Sequence, residues 1–282
     1  MTHSFTVACV QVNAGNSIDE NVLHTQGLIR EASTAGADLI LTPENVVMMA
    51  GSAAEVHANA VEEERHPGLS AFRELAIETS AWLLIGSLTI RLDYEERVVN
   101  RSFLLNPAGH IVARYDKIHM YDVDVPGGES HRESKNFRPG SKAVVAPTPW
   151  GCIGMTVCYD LRFPHLYRML AQGGAAYLVV PSAFTRVTGI AHWHVLLRAR
   201  AIETGSYVFA PAQTGDHPGG RKTFGHSMIV DPWGKILAEA SEHPEFILST
   251  IEPIKVDKAR SAVPAINKDQ VFVLPEYRND KT

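Results

Sequence analysis

The chain has little cysteine, and its cysteines form no structural pattern. The 282 residues include only three, Cys9, Cys152 and Cys158, which make no even set and show no Cys-x-x-Cys spacing. A disulfide framework is therefore excluded as the basis of the fold, and a reducing compartment is expected. Cys9 and Cys152 stand in apolar, strand-like runs, and we interpret both as core residues.

Long apolar runs and basic clusters are missing as well. No run approaches the roughly 20 apolar residues that cross a membrane. The net charge is −5 without a lysine and arginine stripe, which argues against nucleic-acid or anionic-membrane partners. The first residues, Met1–Val7, enter a strand pattern without the features of a secretory leader. These absences predict a cytoplasmic protein with no nucleic-acid partner and no membrane partner.

Signatures of nucleotide and metal sites are also absent. The pairs Gly127-Gly128 and Gly219-Gly220 fit neither a phosphate-binding loop nor a dinucleotide motif. Although 13 histidines are present, there is no HExxH motif. His192 and His194 are two apart, which places them on different sides of a predicted helix. The sequence thus predicts no metal and no cofactor.

The patterns that are present predict an α/β protein with one domain over residues 1–282 and a tail of little pattern from about residue 253. A capping box at Ser17–Glu20 opens a helix that ends near Ala35, and another helix is predicted over about 191–203. Turns with proline second and glycine fourth, Asn106–Gly109, Thr148–Gly151 and Asp231–Gly234, predict three hairpins. A continuous strand is expected over Thr223–Val230. Alternating strands and helices with added hairpins predict two mixed sheets between helices.

Cys158 occupies a position suited to a nucleophile. It follows the apolar run Gly151–Val157 and precedes a helix predicted from about Pro164. Backbone N–H groups and the positive end of a helix favour a thiolate and any nearby oxyanion. A free cysteine is nevertheless often a buried, inert residue, so this segment alone leaves both interpretations open.

Two charged residues follow apolar runs elsewhere in the chain. Glu44 comes directly after the strand-like Leu39–Thr42, and Lys117 ends the run that begins at Ile111. The carboxyl ends of strands at one edge of a sheet are where open α/β folds gather their chemistry, so both could converge with Cys158. Taken singly, Glu44 could equally be a helix cap or solvated carboxylate, and Lys117 a surface cation.

These three segments, in this order, resemble the Glu-Lys-Cys triad of the nitrilase superfamily of carbon–nitrogen hydrolases. The likeness extends from Ala8–Gln11 to Gly225–Gly234. Three further segments are similar to the Nit branch, which includes deaminated glutathione amidases and omega-amidases: Cys158–Pro164, Pro181–Phe184 and Ala191–Thr204. The resemblance implies a four-layer α-β-β-α sandwich, commonly paired across helices into a homodimer or larger assembly. It also implies a cysteine-dependent amidase that needs no cofactor and hydrolyses a small-molecule amide through a thioester.

In that mechanism Cys158 is the nucleophile and Glu44 the general base, with a pKa that burial could raise toward neutrality. Lys117 and the backbone N–H of Tyr159 hold the oxyanion. The resemblance implies a second glutamate, which we place at Glu133. The alternative is Glu129, which could equally be a solvated loop carboxylate. The long segment 119–139 is expected to form a wall of the active site.

The resemblance also suggests which residues bind the acyl part of the substrate. Arg162 has a fork suited to a carboxylate, although a salt bridge to Asp160 is an alternative. Phe184 and Thr185 are carried over as further substrate contacts. A carboxylate clamp implies an ω-monoamide of a short dicarboxylic acid.

The segment Asp216–Lys222 resembles the deaminated glutathione amidases more than the omega-amidases, and its Arg221 and Lys222 could meet a distal carboxylate. Asn45 departs from the alanine or cysteine common in Nit relatives, and it is expected to alter the pocket floor. An omega-amidase, an N-carbamoyl hydrolase, a nitrilase and a non-catalytic binding or scaffold protein are the alternative functions.

Overall fold

A computed structural model describes residues 3–93, 95–125 and 129–273, except for the side chain of Glu129. The helices are α1 (Ile18–Thr34), α2 (Ala53–Asn59), α3 (Pro67–Thr79), α4 (Pro164–Gln172), α5 (Arg186–Thr204) and α6 (Ile254–Ala262). The strands are β1 (Phe5–Gln11), β2 (Leu39–Leu41), β3 (Val61–Glu62), β4 (Trp82–Arg91), β5 (Val99–Leu105), β6 (Ile111–Asp116), β7 (Asp122–Val125), β8 (Glu129–Arg132), β9 (Val144–Thr148), β10 (Gly151–Met155), β11 (Ala175–Val179), β12 (Tyr207–Ala210), β13 (Thr214–Asp216), β14 (Lys222–Phe224), β15 (Met228–Val230), β16 (Ile236–Glu239) and β17 (Glu245–Ile251). None of the described helices has both the length and the hydropathy of a membrane span.

Two mixed sheets organise the chain. The first sheet has the order β17-β1-β2-β4-β5-β6, and β3 also pairs with β4. The second sheet has the order β16-β15-β12-β11-β10-β9. Each sheet has a parallel centre, β1-β2-β4 or β12-β11-β10, with antiparallel pairs on both sides. The parallel centres place the carboxyl ends of several strands at one edge of each sheet.

The side chains of β1 show how the layers stack, because successive residues of a strand point to opposite faces. Val7 and Cys9 share a buried apolar cluster with Tyr177 of the second sheet. Ala8 belongs to the cluster on the opposite face, together with Ile29 of α1. Helices α1 and α3 pack together beside the first sheet, and α4 and α5 pack together beside the second. The predicted four-layer α-β-β-α sandwich is therefore confirmed.

Local sequence signals predicted several elements correctly. Ser17 caps α1 by accepting the N–H of Glu20, and the helix ends with Ala35 as its C-cap. The three turns with proline and glycine join β5 to β6, β9 to β10 and β15 to β16, each pair antiparallel.

The strand predicted over 223–230 is wrong, because it is broken into β14 and β15 in different sheets. Gly225 and His226 both have positive φ, at 73° and 56°, and they redirect the chain between the two strands. The predicted helix over 191–203 begins five residues earlier, at Arg186. Gly189 within its first turns weakened the helical signal.

The segment from about residue 253 is not a patternless tail. It contains α6, which buries only Val256 and Ala259 and so has a weak apolar pattern. Arg260 holds this helix on the domain, donating to the carbonyl oxygens of Thr204 and Ala175 at 3.1 and 2.7 Å. The segment 119–139 also has more structure than expected, since β7 and β8 form an antiparallel hairpin within it.

Candidate active site

Cys158 lies in a strained turn between β10 and α4. It begins a 3₁₀ segment, Cys158–Arg162, and it has a φ of 50°, which is uncommon for a residue with a side chain. Its own N–H donates to the carbonyl oxygen of Pro181 at 2.9 Å. Backbone strain of this kind persists only where surrounding contacts impose it, and it is concentrated at functional sites. The turn places the thiol, which is 6% exposed, beyond the end of β10.

Asp160 holds this turn against the end of β6. Its fully buried carboxylate accepts the backbone N–H of Val157 at 2.9 Å and the hydroxyl of Tyr115 at 2.7 Å. It also accepts the backbone N–H of His119 at 3.0 Å and contacts Nδ1 of the same residue at 2.7 Å. The carboxylate thereby ties the Cys158 turn to the segment that carries Lys117. This positioning role was missed, because sequence spacing cannot show contacts 41 residues apart.

Glu44 follows β2 and lies almost entirely out of solvent, at 2% exposure. Its Oε1 accepts from Lys117 Nζ at 2.8 Å and from Asn100 Nδ2 at 2.9 Å, and its Oε2 accepts the backbone N–H of Ala183 at 2.9 Å. Thr42 and Pro43, which precede Glu44, pass close to β4. Gly86 of β4 allows this approach, since a Cβ there would lie 2.1 Å from the carbonyl oxygen of Thr42. Asn100 and Ala183 were not predicted, because nothing in their own segments marks them as partners of Glu44.

Lys117 bridges two carboxylates. Besides Glu44, its Nζ donates to both oxygens of Glu133, at 3.0 and 2.9 Å. Glu133 also accepts the backbone N–H of Tyr121 at 2.6 Å, which fixes its carboxylate beside the lysine. The side chain of Glu129, the alternative second glutamate, lies outside the described part of the molecule. Glu133 is thus the second carboxylate, besides Glu44, that the described part of the structure brings to Lys117.

Burial and neighbouring charges set the protonation states of these groups. Burial raises the pKa of Glu44, but the charges of Lys117 and then Arg221 outweigh it, so this pKa lies below its ordinary range. Burial lowers the pKa of Lys117, and the charges of Glu133 and Glu44 more than reverse this effect. Burial, followed by the Glu44 charge and a hydrogen bond to that carboxylate, raises the pKa of Cys158.

Two expectations about these groups are therefore wrong. The pKa of Glu44 is lowered rather than raised toward neutrality, because a cation shares its buried position. The turn does not favour a free thiolate at Cys158, because burial and then the adjacent Glu44 carboxylate raise the pKa of the thiol. These directions correspond to a neutral Cys158 thiol beside an ionised Glu44 carboxylate.

An open pocket leads to these residues. Its polar end is lined by Glu44, Lys117, Glu133 and Cys158, and its walls include an apolar group formed by Met48, Met49, Val56 and Phe137. Side chains of the segment 119–139 line one side, including Tyr121 and Glu133, as predicted for that segment. Asn45 also lines the pocket in a left-handed conformation, with a φ of 54°, which asparagine tolerates better than most residues.

Arg162 enters the pocket without forming the alternative salt bridge to Asp160. Its guanidinium lies over the rings of Phe184 and Tyr159, at 5.1 and 5.8 Å from their centroids, and its Nη1 is 3.3 Å from His192 Nδ1. Within the described ranges, no carboxylate lies within ion-pair distance of Arg162. Arg162 is thus part of the pocket lining and not of an ion pair with Asp160.

Phe184 and Thr185 both line the pocket, and their contact with a substrate stays a prediction. Arg221 and Lys222, although adjacent in the chain, have different surroundings. Arg221 lines the pocket and donates through Nη2 to the carbonyl oxygen of Ala183 at 2.7 Å, and its buried Nε has no hydrogen-bond partner among the described residues. Lys222 is exposed, lies outside the pocket and faces Asp216 at 3.6 Å.

Comparison with known proteins gives consistent matches over most of the chain. A family model described as carbon-nitrogen hydrolase matches residues 6–261. A deaminated glutathione amidase of Yersinia enterocolitica is 38% identical over 266 residues, which cover 94% of this chain and 92% of that protein. The human deaminated glutathione amidase is 43% identical over 250 residues, covering 87% and 76% of the two chains. The crystal structure of the C. elegans NitFhit protein superposes with a TM-score of 0.88 and 32% identity, covering 95% of this chain and 66%, or just under two thirds, of that protein.

Proposed function

Because this chain belongs to the nitrilase superfamily of carbon–nitrogen hydrolases, we propose that its Glu44, Lys117, Glu133 and Cys158 form the catalytic site of a cysteine-dependent amidase. The enzyme is a hydrolase acting on carbon–nitrogen bonds other than peptide bonds. The observation that carries the catalytic assignment is the meeting of a buried carboxylate, a buried ammonium and a strained cysteine at one end of the pocket.

In the acylation step the Cys158 sulfur attacks the amide carbon while Glu44 accepts the thiol proton. The resulting oxyanion is held by the Lys117 ammonium and the backbone N–H of Tyr159. The latter lies in the first turn of the 3₁₀ segment, where N–H groups lack intrahelical acceptors. Such donors typically contribute about 3–4 kcal/mol each to transition-state stability. As the tetrahedral intermediate collapses, Glu44 gives its proton to the departing amine or ammonia, and a thioester remains on Cys158.

In the deacylation step Glu44 removes a proton from water, whose oxygen attacks the thioester carbon. The carbon–sulfur bond breaks, the carboxylic acid product leaves, and the proton returns to the Cys158 sulfur. Glu133 positions Lys117 throughout, since the Lys117 ammonium donates to both of its carboxylate oxygens, at 3.0 and 2.9 Å. The lowered pKa of Glu44 keeps this base ionised at neutral pH.

We further propose that the substrate is deaminated glutathione, an amide with a carboxylate on each side of the scissile bond. Two arginines of the pocket, Arg162 and Arg221, support a ligand with two anionic groups. No carboxylate of the described chain lies within ion-pair distance of either. Arg162, beside Phe184 and Thr185, suits the keto-acid end, and Arg221 suits the carboxylate of the departing dipeptide. An omega-amidase acting on 2-oxoglutaramate requires only the first of these cations.

The test is a comparison of deaminated glutathione with 2-oxoglutaramate, measured as release of their common product 2-oxoglutarate. We expect kcat/KM for the tripeptide analogue to exceed that for the free keto-amide by about tenfold or more, since one added charge-assisted hydrogen bond is worth about 1.5–3 kcal/mol. The reverse preference would indicate an omega-amidase. If neither substrate is hydrolysed, the proposed binding of a substrate carboxylate in this pocket is contradicted. Carbamoyl compounds and nitriles then become the candidate substrates.

Substitutions of Arg162 and Arg221 test the separate role of each arginine with the same two substrates. Arg162→Lys keeps the charge but loses the bidentate fork, so it should raise KM for both substrates. Arg221→Gln should lower kcat/KM for deaminated glutathione alone by about 10- to 100-fold. Lys222→Gln is the matched control, because its ammonium lies outside the pocket and should affect neither substrate. Equal losses from Arg221→Gln on both substrates would contradict its assignment to the departing group.

The proposal extends to the remaining properties of the protein. We propose one catalytic domain over residues 1–282, acting in the cytoplasm as a homodimer or larger homo-oligomer without a cofactor. The exposed apolar side chains on α5 support self-association: Val187, Ile190, Val195 and Ile202 are between 49% and 70% exposed. An isolated monomer would leave this apolar face in water.

A further inference from the structure

Three potential metal ligands meet at the outer surface of the second sheet, away from the catalytic pocket. His194 lies on α5, His226 precedes β15, and Glu239 ends β16. His194 Nε2 and His226 Nδ1 lie 2.9 and 2.8 Å from the same Glu239 oxygen. The three ligand atoms are all within 4.8 Å of one another. His194 and His226 are 32 positions apart, and His226 and Glu239 are 13 apart. The three residues therefore show no short metal-ligand spacing in the sequence.

We propose that His194, His226 and Glu239 form a binding site for a divalent transition-metal ion of the zinc class. Two imidazole nitrogens and one carboxylate oxygen are a donor set that suits zinc, and a water molecule would supply the fourth ligand. Zinc binds such atoms at about 2.0–2.2 Å, so ligands around a tetrahedral ion are separated by roughly 3.3 Å. The two distances from the histidine nitrogens to the Glu239 oxygen, 2.9 and 2.8 Å, therefore need to open by only a few tenths of an ångström. In the single chain the three side chains are between 23% and 36% exposed.

The surroundings of His226 hold its ring in place. Its backbone adopts the left-handed conformation at a φ of 56°, and its carbonyl oxygen accepts the indole N–H of Trp193 at 2.8 Å. The imidazole stacks on Phe224 with centroids 4.4 Å apart and planes 26° apart. Phe224 in turn packs against Gly189, where a Cβ would lie 2.3 Å from the ring. Packing contacts of this kind orient a ligand before the ion binds.

A bound ion would join three elements that come from distant parts of the chain. It would connect α5, the segment between β14 and β15, and the edge strand β16. Strand β14, which precedes this segment, reaches the pocket wall, because the Phe224 N–H donates to the carbonyl oxygen of Phe184 at 2.9 Å. The inferred role of the metal is to stabilise this face of the domain. No step of amide hydrolysis involves the ion, so this inference is independent of the proposed function.

The test is a titration of the full-length, tag-free protein with Zn²⁺ and Co²⁺ after removal of metals with a chelator. We expect one saturating equivalent, a visible absorption of Co²⁺ in nitrogen and oxygen coordination, and a metal-dependent rise in Tm. Asparagine tolerates positive φ, so His226→Asn removes the ligand without adding backbone strain. His226→Asn and Glu239→Gln should each weaken binding by about tenfold or more, as expected when a ligand of the ion is lost.

Two controls separate this site from other histidines and from the catalytic thiol. His24→Asn removes an exposed imidazole on α1 and should leave the affinity unchanged. Cys158→Ala removes the thiol that could itself hold a metal, and binding should persist in it. Loss of binding in Cys158→Ala, unchanged affinity in both ligand variants, or the absence of saturable binding would each overturn the proposal. In those cases the three side chains form a hydrogen-bonded group only.

Discussion

Replacement of Cys158 by alanine is expected to lower kcat for the amide substrate by about 10⁴-fold or more, because no other group can form the thioester. The overall fold should survive. The thiol is a small part of the core, and alanine meets the same conformational demand at a φ of 50° as cysteine does. We expect a stability change near 1 kcal/mol at most, which corresponds to a shift in Tm of about 2–4 °C. Steady-state assays and thermal unfolding of the same preparation measure both quantities.

Cys152→Ala is the matched control for this experiment. Cys152 lies six positions earlier, on β10, and its side chain is partly buried but does not line the pocket. This variant should retain kcat within a few-fold. Activity of Cys158→Ala within tenfold of the unmodified protein would remove Cys158 from the mechanism.

Replacement of Lys117 by methionine is expected to abolish turnover and also to destabilise the fold. Methionine fills a similar volume but leaves the buried Glu44 carboxylate without its cation, and Glu133 loses the same partner. Breaking a buried ion pair by removing one member typically costs about 3–5 kcal/mol. The loss of an oxyanion donor alone typically lowers kcat by about 10²–10³-fold. Denaturant unfolding and product release should therefore both change strongly in this variant.

In the unmodified protein and in Lys117→Met, the titration of Glu44 should change the free energy of unfolding with pH in opposite directions. In the unmodified protein the pKa of Glu44 is lowered on folding. This stabilisation is present above the unfolded pKa of about 4.3 and is lost as the pH falls through the folded value. In Lys117→Met burial dominates, so the folded pKa of Glu44 should lie above the unfolded one. The stability of the variant should then decrease as the pH rises from about 4.3 toward neutrality.

Lys142→Met provides the comparison for that pH series, since Lys142 is exposed and should change neither activity nor pH dependence. A Lys117→Met protein with the stability and pH profile of the unmodified chain would contradict the buried Glu44–Lys117 pair. A Lys117→Met protein that is stable but inactive would be consistent with the oxyanion role of Lys117. It would contradict only the contribution of Lys117 to stability.

The sequence predicted the fold where local signals decide the outcome. The Ser17 cap and the three turns with proline and glycine each depend on residues within four positions of one another, and all are present. The errors occur where distant contacts decide. Helix α6 depends on Arg260 reaching Thr204 and Ala175. The turn that ends β14 is held by the indole N–H of Trp193, which donates to the carbonyl oxygen of His226.

The same distinction between local signals and distant contacts applies to the candidate site. Glu44, Lys117 and Cys158 were predicted to converge because each follows an apolar run, and the structure brings them to one pocket. Asp160 and Asn100, which position these groups, were missed because their roles arise only when strands far apart in sequence become neighbours. The direction of the Glu44 pKa was also mispredicted. Burial alone raises it, and the opposing charge of Lys117 is known only once the two side chains are in contact.

The measurement that tests the central claim most directly is mass spectrometry of the acid-quenched enzyme during turnover of deaminated glutathione. The mechanism predicts a transient increase equal to the mass of the 2-oxoglutaryl group, located on the peptide that contains Cys158 and absent from Cys158→Ala. Turnover without this adduct, or an adduct on another residue, would contradict a thioester mechanism at Cys158.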